Sequence, residues 1–213
     1  MAVIRTALTM AVKPGAESAY RDWLRDSISA LEPVYARTGV LSKALMMSGP
    51  RIVAVYEHDR PGAVEAAFAQ PESVAMLSGQ LGALLDPAVA PRSYESLLVW
   101  RNLVSYSPRH VALTLDIKAG TEETYRDWVR NTASRQFDAV WRRFELGLKE
   151  VLISGTSVIA HYECRDSASV LATFGEPEAI EAMQSNLGPL LDLSPGDPIA
   201  PFEEVVTWRA PGA

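Results

Sequence analysis

The chain repeats itself once along nearly its whole length. TALTMAVKPGAESAYRDWLR in the first half is matched by VALTLDIKAGTEETYRDWVR in the second, so that Trp23 recurs as Trp128, 105 positions later. The offset is 106 for the hairpin that follows and 108 for Trp100, which recurs as Trp208. A nearly constant offset indicates two copies of one unit, and two copies are too few for a solenoid. We therefore expect a pseudo-dimer fused in one chain.

Each copy predicts the same order of elements. In the first copy an alternating strand, Val3 to Val12, precedes a helix whose apolar residues recur every three or four positions and which closes at Pro33 and Gly39. A hairpin, two short helices and a closing strand follow: Val40 to Met47, Ile52 to His58, a helix after Gly62, a helix from Pro71 to Leu85, and Leu97 to Trp100.

This order, β-α-β-β-α-β, is typical of a ferredoxin-like unit. We predict an α+β protein in which two ferredoxin-like repeats, residues 1–101 and 110–209, pack sheet to sheet as a fused dimeric α/β barrel. The packing follows because an apolar sheet face that no helix covers has to be buried against something, and the second copy is the obvious partner.

Composition excludes several classes of function. The 213 residues are 48% hydrophobic and carry a formal net charge of −6 with no basic run, so nucleic acid is not an expected partner. No stretch resembles a signal peptide or a membrane span. The single cysteine, Cys164, allows neither an intrachain disulfide nor a CxxC site, and we expect a cytoplasmic protein with no membrane partner.

One exchange between the copies stands out. SGPRIVAVYEHDR in the first copy becomes SGTSVIAHYECRD in the second, which places His161 where the first copy has Val55. An imidazole within an apolar strand is either a hydrogen-bonded core histidine or a group that moves a proton. On the second interpretation His161 is a catalytic base, the second repeat is the active half and the first repeat is a scaffold.

The hairpin and the helices after it carry a family resemblance. VAVYEHDRPGAVEAAFAQPESVAMLSGQLGALLD and its echo IAHYECRDSASVLATFGEPEAIEAMQSNLGPLLD resemble the second half of dimeric α/β-barrel domains of the antibiotic-biosynthesis monooxygenase group. With YRDW on the first helix and a VWR or TWR ending, the tandem form resembles the SchA/CurD-like proteins of aromatic polyketide and spore-pigment clusters. The resemblance implies a small aromatic polyketide as ligand, and relatives that include cofactor-free oxygenases, cyclases and haem enzymes.

Further candidate residues surround this strand. Tyr125, Trp128 and Trp141 could stack a planar ligand, although aromatic residues at helical spacing are also typical core residues. Arg142 and Tyr162 could stabilise an anion, with solvated helix-end arginines and packed tyrosines as the alternatives. Neighbouring residues of a strand face opposite sides, so His161 and Tyr162 cannot share a pocket unless the strand is bulged.

Several absences limit the chemistry. There is no GxGxxG, no GxSxG and no His or carboxylate spacing typical of a metal site, so we expect no cofactor and no metal. A haem ligand on a helix is not expected either, because His58, His110 and His161 all fall outside the predicted helices. We expect His58, beside the polar Asp59 and Arg60, to be solvated.

These observations favour a cofactor-independent monooxygenase that uses dioxygen to oxidise an aromatic polyketide, such as an anthrone-like ring, to a quinone. A polyketide cyclase using the same base is the alternative enzyme, and a non-catalytic polyketide-binding or scaffold protein is the alternative from another class. The chain could also pair again as a homodimer of fused pseudo-dimers, which the sequence does not decide.

Overall fold

The computed structural model describes residues 3–192 and 200–212; Met1, Ala2 and residues 193–199, which the predicted domains include, lie outside it. The described strands are β1 (Ile4–Ala11), β2 (Val40–Ser48), β3 (Arg51–His58), β4 (Arg92–Arg101), β5 (Arg109–Asp116), β6 (Leu148–Ser154), β7 (Ser157–Cys164) and β8 (Phe202–Arg209). The α-helices are α1 (Glu17–Thr38), α2 (Ala63–Phe68), α3 (Pro71–Ser78), α4 (Gln80–Leu84), α5 (Glu122–Trp128), α6 (Ser134–Arg143), α7 (Ser167–Thr173) and α8 (Pro177–Ala182).

The order of hydrogen-bonded strands repeats in the same way as the sequence. It runs β1-β3-β2-β8-β5-β7-β6-β4 as a closed antiparallel barrel, so that starting from β4 the ferredoxin-like order of fourth, first, third and second strand occurs twice. Both hairpins use a tight turn with glycine at positive φ, Gly49 in the first and Gly155 in the second. The predicted fold class, α+β with two ferredoxin-like repeats as a fused dimeric α/β barrel, is confirmed.

The chain divides into two compact units, residues 1–93 with 204–213 and residues 94–203. The first unit has a core of helix α1 against the β1-β3-β2 sheet, in which Tyr35 packs against Tyr56 and Trp208 with ring centroids 6.4 and 5.4 Å apart. Most of β4 belongs to the second unit and most of β8 to the first, whereas the sequence repeats place β4 in the first copy and β8 in the second. The predicted domain boundaries follow the sequence repeats and stay a prediction.

The second unit contains β5, β6, β7 and most of β4, with α5 to α8 over one face of the sheet. Its strands pair in uniform register over β5, β7 and β6, so that Lys149 lies opposite Tyr162 and Glu150 opposite His161. Two apolar clusters fill the layer between sheet and helices, one around Trp100 and Trp141 and the other around Tyr125.

Helix α1 ends at Gly39, one of the two residues that the sequence placed at its close. It continues through the other, Pro33, and its last residue is Thr38 because Gly39 takes the left-handed conformation at φ 89°. Pro33 has no backbone N–H and so removes one hydrogen bond from the helix. The helix continues because burial of Val34 and Tyr35 in the core stabilises its last two turns. The predicted helix from Pro71 is instead interrupted at Gly79, which separates α3 from α4.

The helix of the second repeat that corresponds to α1 contains a π-helical turn, Val129–Ala133, between α5 and α6. Trp23 and Trp128 are 105 positions apart, whereas Tyr35 and the aromatic residue that replaces it, Trp141, are 106 apart. One residue has therefore been added inside this helix, and the extra residue is accommodated as a π turn, a feature often found at functional sites. A second π turn, Met183–Leu187, follows α8.

Within the described ranges, 3–192 and 200–212, the helices are all too short or too polar to cross a bilayer.

Candidate active site

The second unit contains a cavity of about 270 Å³ between its sheet and its helices, close to the lower limit of roughly 300 Å³ for small-molecule sites. Its walls come from α5, α6, α7, α8, both π turns and four strands of the sheet. The lining is apolar apart from a few side chains, and the combination of an apolar pocket with few polar groups is typical of a ligand site. We take this cavity as the candidate active site.

Aromatic rings form the helix side of the cavity. Phe137 stacks on Trp141 with centroids 5.7 Å apart and planes inclined by 20°, while Trp128 meets Phe137 edge to face at 6.2 Å. Tyr125 also lines the space. Rings in such offset and edge arrangements present faces and edges suited to a planar aromatic ligand. Trp128, Trp141 and Tyr125, predicted as substrate-binding residues, are therefore brought together in one cavity.

A lysine lies on the sheet side of the same cavity. Lys149 is in the middle of β6 and only 6% exposed, and its Nζ atom lies 3.9 Å from the centroid of the Tyr162 ring. Burial lowers the pKa of the Lys149 ammonium from 10.5 to about 7, and the negative charge of Glu150 opposes that change by raising it. Near neutral pH a large fraction of the amine is thus unprotonated and able to accept a proton.

The first repeat has a lysine at the corresponding position, but its amine is engaged. Lys43 Nζ donates a hydrogen bond to the hydroxyl of Tyr35 at 3.0 Å. In the second repeat Trp141 replaces Tyr35, so that hydroxyl is absent, and no hydrogen bond joins Lys149 Nζ to another of the residues described by the structure. The exchange of one aromatic residue therefore releases an amine into a cavity.

Tyr162 faces the cavity and stays a neutral phenol. Burial raises the pKa of Tyr162, and likewise that of Tyr125, so neither becomes a phenolate near neutral pH. A neutral phenol can donate a hydrogen bond to an anionic oxygen. The position of Tyr162 agrees with the predicted role as an anion partner, which stays a prediction.

His161 lies on the opposite face of the sheet from Tyr162. It is 1% exposed, its Nδ1 atom lies 3.1 Å from Glu150 Oε2, and its Nε2 atom lies 3.0 Å from His110 Nδ1. The first repeat has Ala44, Val55 and Arg5 at the positions of Glu150, His161 and His110. His161 is absent from the cavity lining, and its predicted role as the base stays a prediction for mutagenesis to test.

Arg142 is also outside the cavity lining. Its guanidinium, about half exposed, donates to Asp138 at 2.9 Å and to Asn102 at 3.2 Å, and it lies over the Trp100 ring. Asp138 also accepts from Trp100 Nε1 at 2.7 Å. These contacts hold the end of α6 to β4, so the predicted anion-binding role of Arg142 likewise has no support from its position.

All three histidines lie on strands, as predicted, but His58 is buried rather than solvated. Its Nδ1 atom lies 2.8 Å from the carbonyl of Arg60 and its Nε2 atom 3.3 Å from the Thr6 hydroxyl. The prediction of a solvated His58 is wrong because the chain after β3 turns back and caps the ring. Among the described residues no group of three or more His, Cys, Asp and Glu could hold a metal ion.

Sequence reasoning missed Lys149 and Phe137. A signal for Lys149 was present, because Lys149 lies two positions before the buried Val151 on a strand whose other residues are mostly apolar, and it recurs as Lys43. Alternation then places it on the side of the sheet opposite to its neighbour Glu150. Phe137 has no counterpart signal, since one aromatic residue on an amphipathic helix is typical of a core.

The fold and the cavity together define a class: a fused α/β barrel of two ferredoxin-like repeats with an aromatic pocket inside the second unit. No family model matches the sequence, and no curated protein matches it. Solved structures do match. A candidate monooxygenase of Fusobacterium nucleatum shares 11% identity at a TM-score of 0.69, with 97% of this chain and 94% of that chain covered.

Two further structures support the same fold. A candidate monooxygenase of Lactobacillus acidophilus shares 9% identity at a TM-score of 0.62, with 99% of this chain and 97% of the other covered. An anthrone oxidase-like protein shares 14% identity at a TM-score of 0.58, with 97% and 93% covered. At such identities the similarity is one of fold, and activity has to be argued from the site itself.

Proposed function

We propose that the protein is a cofactor-independent monooxygenase that oxidises a planar, phenolic, polyketide-type aromatic compound in the cavity of its second unit. The observation that carries this proposal is the buried amine of Lys149, held in an aromatic pocket and over the ring of Tyr162. An anthrone-like ring bears an acidic CH₂ group beside a carbonyl, and the chemistry it needs from a protein is a base and a dry, apolar site.

The residues of the cavity supply these parts. Neutral Lys149 takes the proton from the acidic carbon, and the ammonium that forms lies beside the resulting enolate. The neutral hydroxyl of Tyr162 is a second donor for the enolate oxygen. Trp128, Trp141 and Phe137 hold the ring system in place. Dioxygen then accepts electrons from the carbanion, and the CH₂ group becomes C=O with release of one water.

The resemblance to SchA/CurD-like proteins and the fold shared with an anthrone oxidase-like protein support the polyketide class of substrate. The scaffold role of the first unit is supported by the Lys43–Tyr35 hydrogen bond, which engages the amine that the second unit leaves available. The proposed base, Lys149, and the other residues that line the cavity all belong to the second unit, residues 94–203.

The test is oxidation of an anthrone under ¹⁸O₂ by the wild-type protein, Lys149→Met and the matched control Lys43→Met. We expect one labelled oxygen in the quinone, and loss of the base should lower kcat/KM by roughly 10² to 10⁴. Lys43→Met should keep wild-type turnover. Bound but unchanged anthrone would overturn the oxygenase and favour the cyclase or the binding protein. Equal turnover by Lys149→Met and wild type would overturn the assignment of the base.

A further inference from the structure

The chain has only four lysines, and they form two matched pairs. Lys13 and Lys118 occupy the same exposed turn of the two repeats, and Lys43 and Lys149 the same buried position of the second strand. Lys13 donates to the carbonyl of Ala83 at 2.6 Å and Lys118 to that of Pro189 at 3.1 Å. Lys43 donates to Tyr35. Lys149 is the lysine that lines the cavity of the second unit.

The setting of Lys149 suits a nucleophile as well as a base. An amine attacks a carbonyl only when it is unprotonated, and an apolar pocket that disfavours the ammonium form is one of the established ways to activate a lysine. The cavity adds the second requirement, because its lining combines aromatic rings on the helix side with the strand that carries Lys149, an arrangement suited to a flat ligand. A dry pocket also protects the C=N bond from hydrolysis.

We propose that Lys149 binds aromatic aldehydes and ketones covalently, as a reversible imine, inside this cavity. The amine nitrogen adds to the carbonyl carbon and gives a carbinolamine. Loss of one water then leaves a C=N bond, so that amine and carbonyl compound yield imine and water with no oxidant or reductant. This inference rests on the same site as the proposed function and specifies its ligand class as carbonyl-bearing aromatic compounds.

Imine formation and general-base catalysis require different positions of the Lys149 amine relative to the ligand. Proton abstraction needs the amine near an acidic carbon, whereas the imine needs it near the carbonyl carbon of the ligand. Formation of the imine needs neither dioxygen nor turnover. A compound that has an aldehyde but no acidic carbon therefore tests the imine alone.

The experiment is reductive trapping of the whole protein at pH 7 with 2-hydroxy-1-naphthaldehyde and sodium cyanoborohydride under nitrogen, followed by peptide mass mapping. We expect the (2-hydroxynaphthyl)methyl group on the peptide that contains Lys149, at a rate at least about tenfold above that of any other lysine. Peptide mapping separates this product from modification of the terminal amine. Excess 2-naphthol, which has the ring but no carbonyl, should slow the trapping at Lys149 and leave Lys13 and Lys118 unaffected.

Two variants complete the test. Lys149→Arg keeps a cation but cannot form the imine, and it should lose the modification, while Lys43→Arg should keep it. Modification spread evenly over the four lysines, or none at Lys149 in the folded wild-type protein, overturns the proposal. Because wild-type protein alone gives this answer, the result stands even if a variant fails to fold. A protein that oxidises an anthrone but gives no trapped adduct would retain the proposed function and lose only the imine.

Discussion

Lys149 and Tyr162 face each other across neighbouring strands, with the lysine Nζ atom 3.9 Å from the centroid of the tyrosine ring. The next pair along the same two strands is Glu150 and His161, whose side chains meet on the opposite face of the sheet. Of these two adjacent cross-strand pairs, one therefore lies beside the cavity and the other lies in a buried hydrogen-bonded cluster on the opposite face. Because the side-chain period of a strand is two, neither pair can exchange faces with the other.

The first prediction concerns how stability depends on pH. The pKa of Lys149 is about 7 in the folded chain, against an ordinary 10.5, so between these values the unfolded chain binds more protons and the free energy of unfolding rises with pH. Below about pH 7 both states are protonated and the contribution is constant. Between pH 7 and 9 the rise should be on the order of 2 kcal/mol in wild type and absent in Lys149→Met.

Urea unfolding of the two proteins at pH 6, 7, 8 and 9 measures this difference. Work above about pH 10 is avoided because buried tyrosines, whose pKa values are raised, then lower the stability as the unfolded phenols ionise. Lys149→Met should also be more stable than wild type at pH 6, since it removes the burial of a charge. Parallel pH curves for the two proteins would show that Lys149 titrates normally.

The second prediction separates His161 from catalysis. His161→Val leaves the buried Glu150 without its imidazole partner and should lower the free energy of unfolding by roughly 2 to 4 kcal/mol. Glu150→Ala with His161→Val recreates the pair Ala44 and Val55 of the first repeat. The double variant should be more stable than the sum of the single effects, with a coupling of about 1 to 3 kcal/mol.

Anthrone turnover by the double variant gives the functional answer. If Lys149 is the base, the folded double variant keeps kcat within a few-fold of wild type. A loss of about 100-fold in a protein with wild-type circular dichroism would identify His161 as the base instead.

The sequence predicted the architecture because its signals are local. Trp23 and Trp128 sit in the same pattern of helical spacing, and the turns at Gly49 and Gly155 have the residues that a tight hairpin requires. The alternation of His161 and Tyr162 was also predictable. Which of the two faces the helices was not, because that depends on how the helices pack over the sheet, a long-range property that one strand does not encode.

The chemistry of the pocket was harder to predict for a related reason. The pKa of Lys149 depends on burial, which the surroundings of the folded chain impose, and a single lysine in a strand is compatible with an exposed position. Arg142 donates to Asp138, four positions earlier on α6, and to Asn102, forty positions earlier, and the second contact is a long-range one that the sequence does not reveal. The aromatic residues were predictable as a set, but their shared cavity was not.

The third prediction concerns the π turn at Val129–Ala133. Deleting the exposed Asn131 should convert α5, the turn and α6 into one continuous α-helix like α1. The π turn absorbs the extra residue, so the deletion keeps the faces of α5 and α6 aligned but removes the wider turn that places Val129 and Ala133 in the cavity wall. Far-UV circular dichroism should stay helical, while the affinity for 2-naphthol, followed by tryptophan fluorescence, should fall about tenfold or more.

Asn131→Ala is the control for this deletion, because it changes the side chain and keeps the length of the helix. It should bind 2-naphthol as wild type does. Wild-type affinity in the deletion variant would mean that the π turn does not shape the cavity wall.

The last prediction concerns the indole N–H of Trp128. The Nε1 atom of Trp128 is buried and has no hydrogen-bond partner among residues 3–192 and 200–212, and the ring lines the cavity. A buried donor without a partner costs about 1 to 3 kcal/mol, and an oxygen of the ligand could accept its hydrogen bond. Trp128→Phe keeps an aromatic ring and removes the N–H, so it should weaken the binding of 2-naphthol about 5- to 15-fold.

The control ligand is naphthalene, which has no oxygen and should lose much less affinity for Trp128→Phe. The matched control is Trp23→Phe in the first repeat, which should change neither affinity, and an equal loss for both ligands in Trp128→Phe would show that Trp128 acts only through the size of its ring.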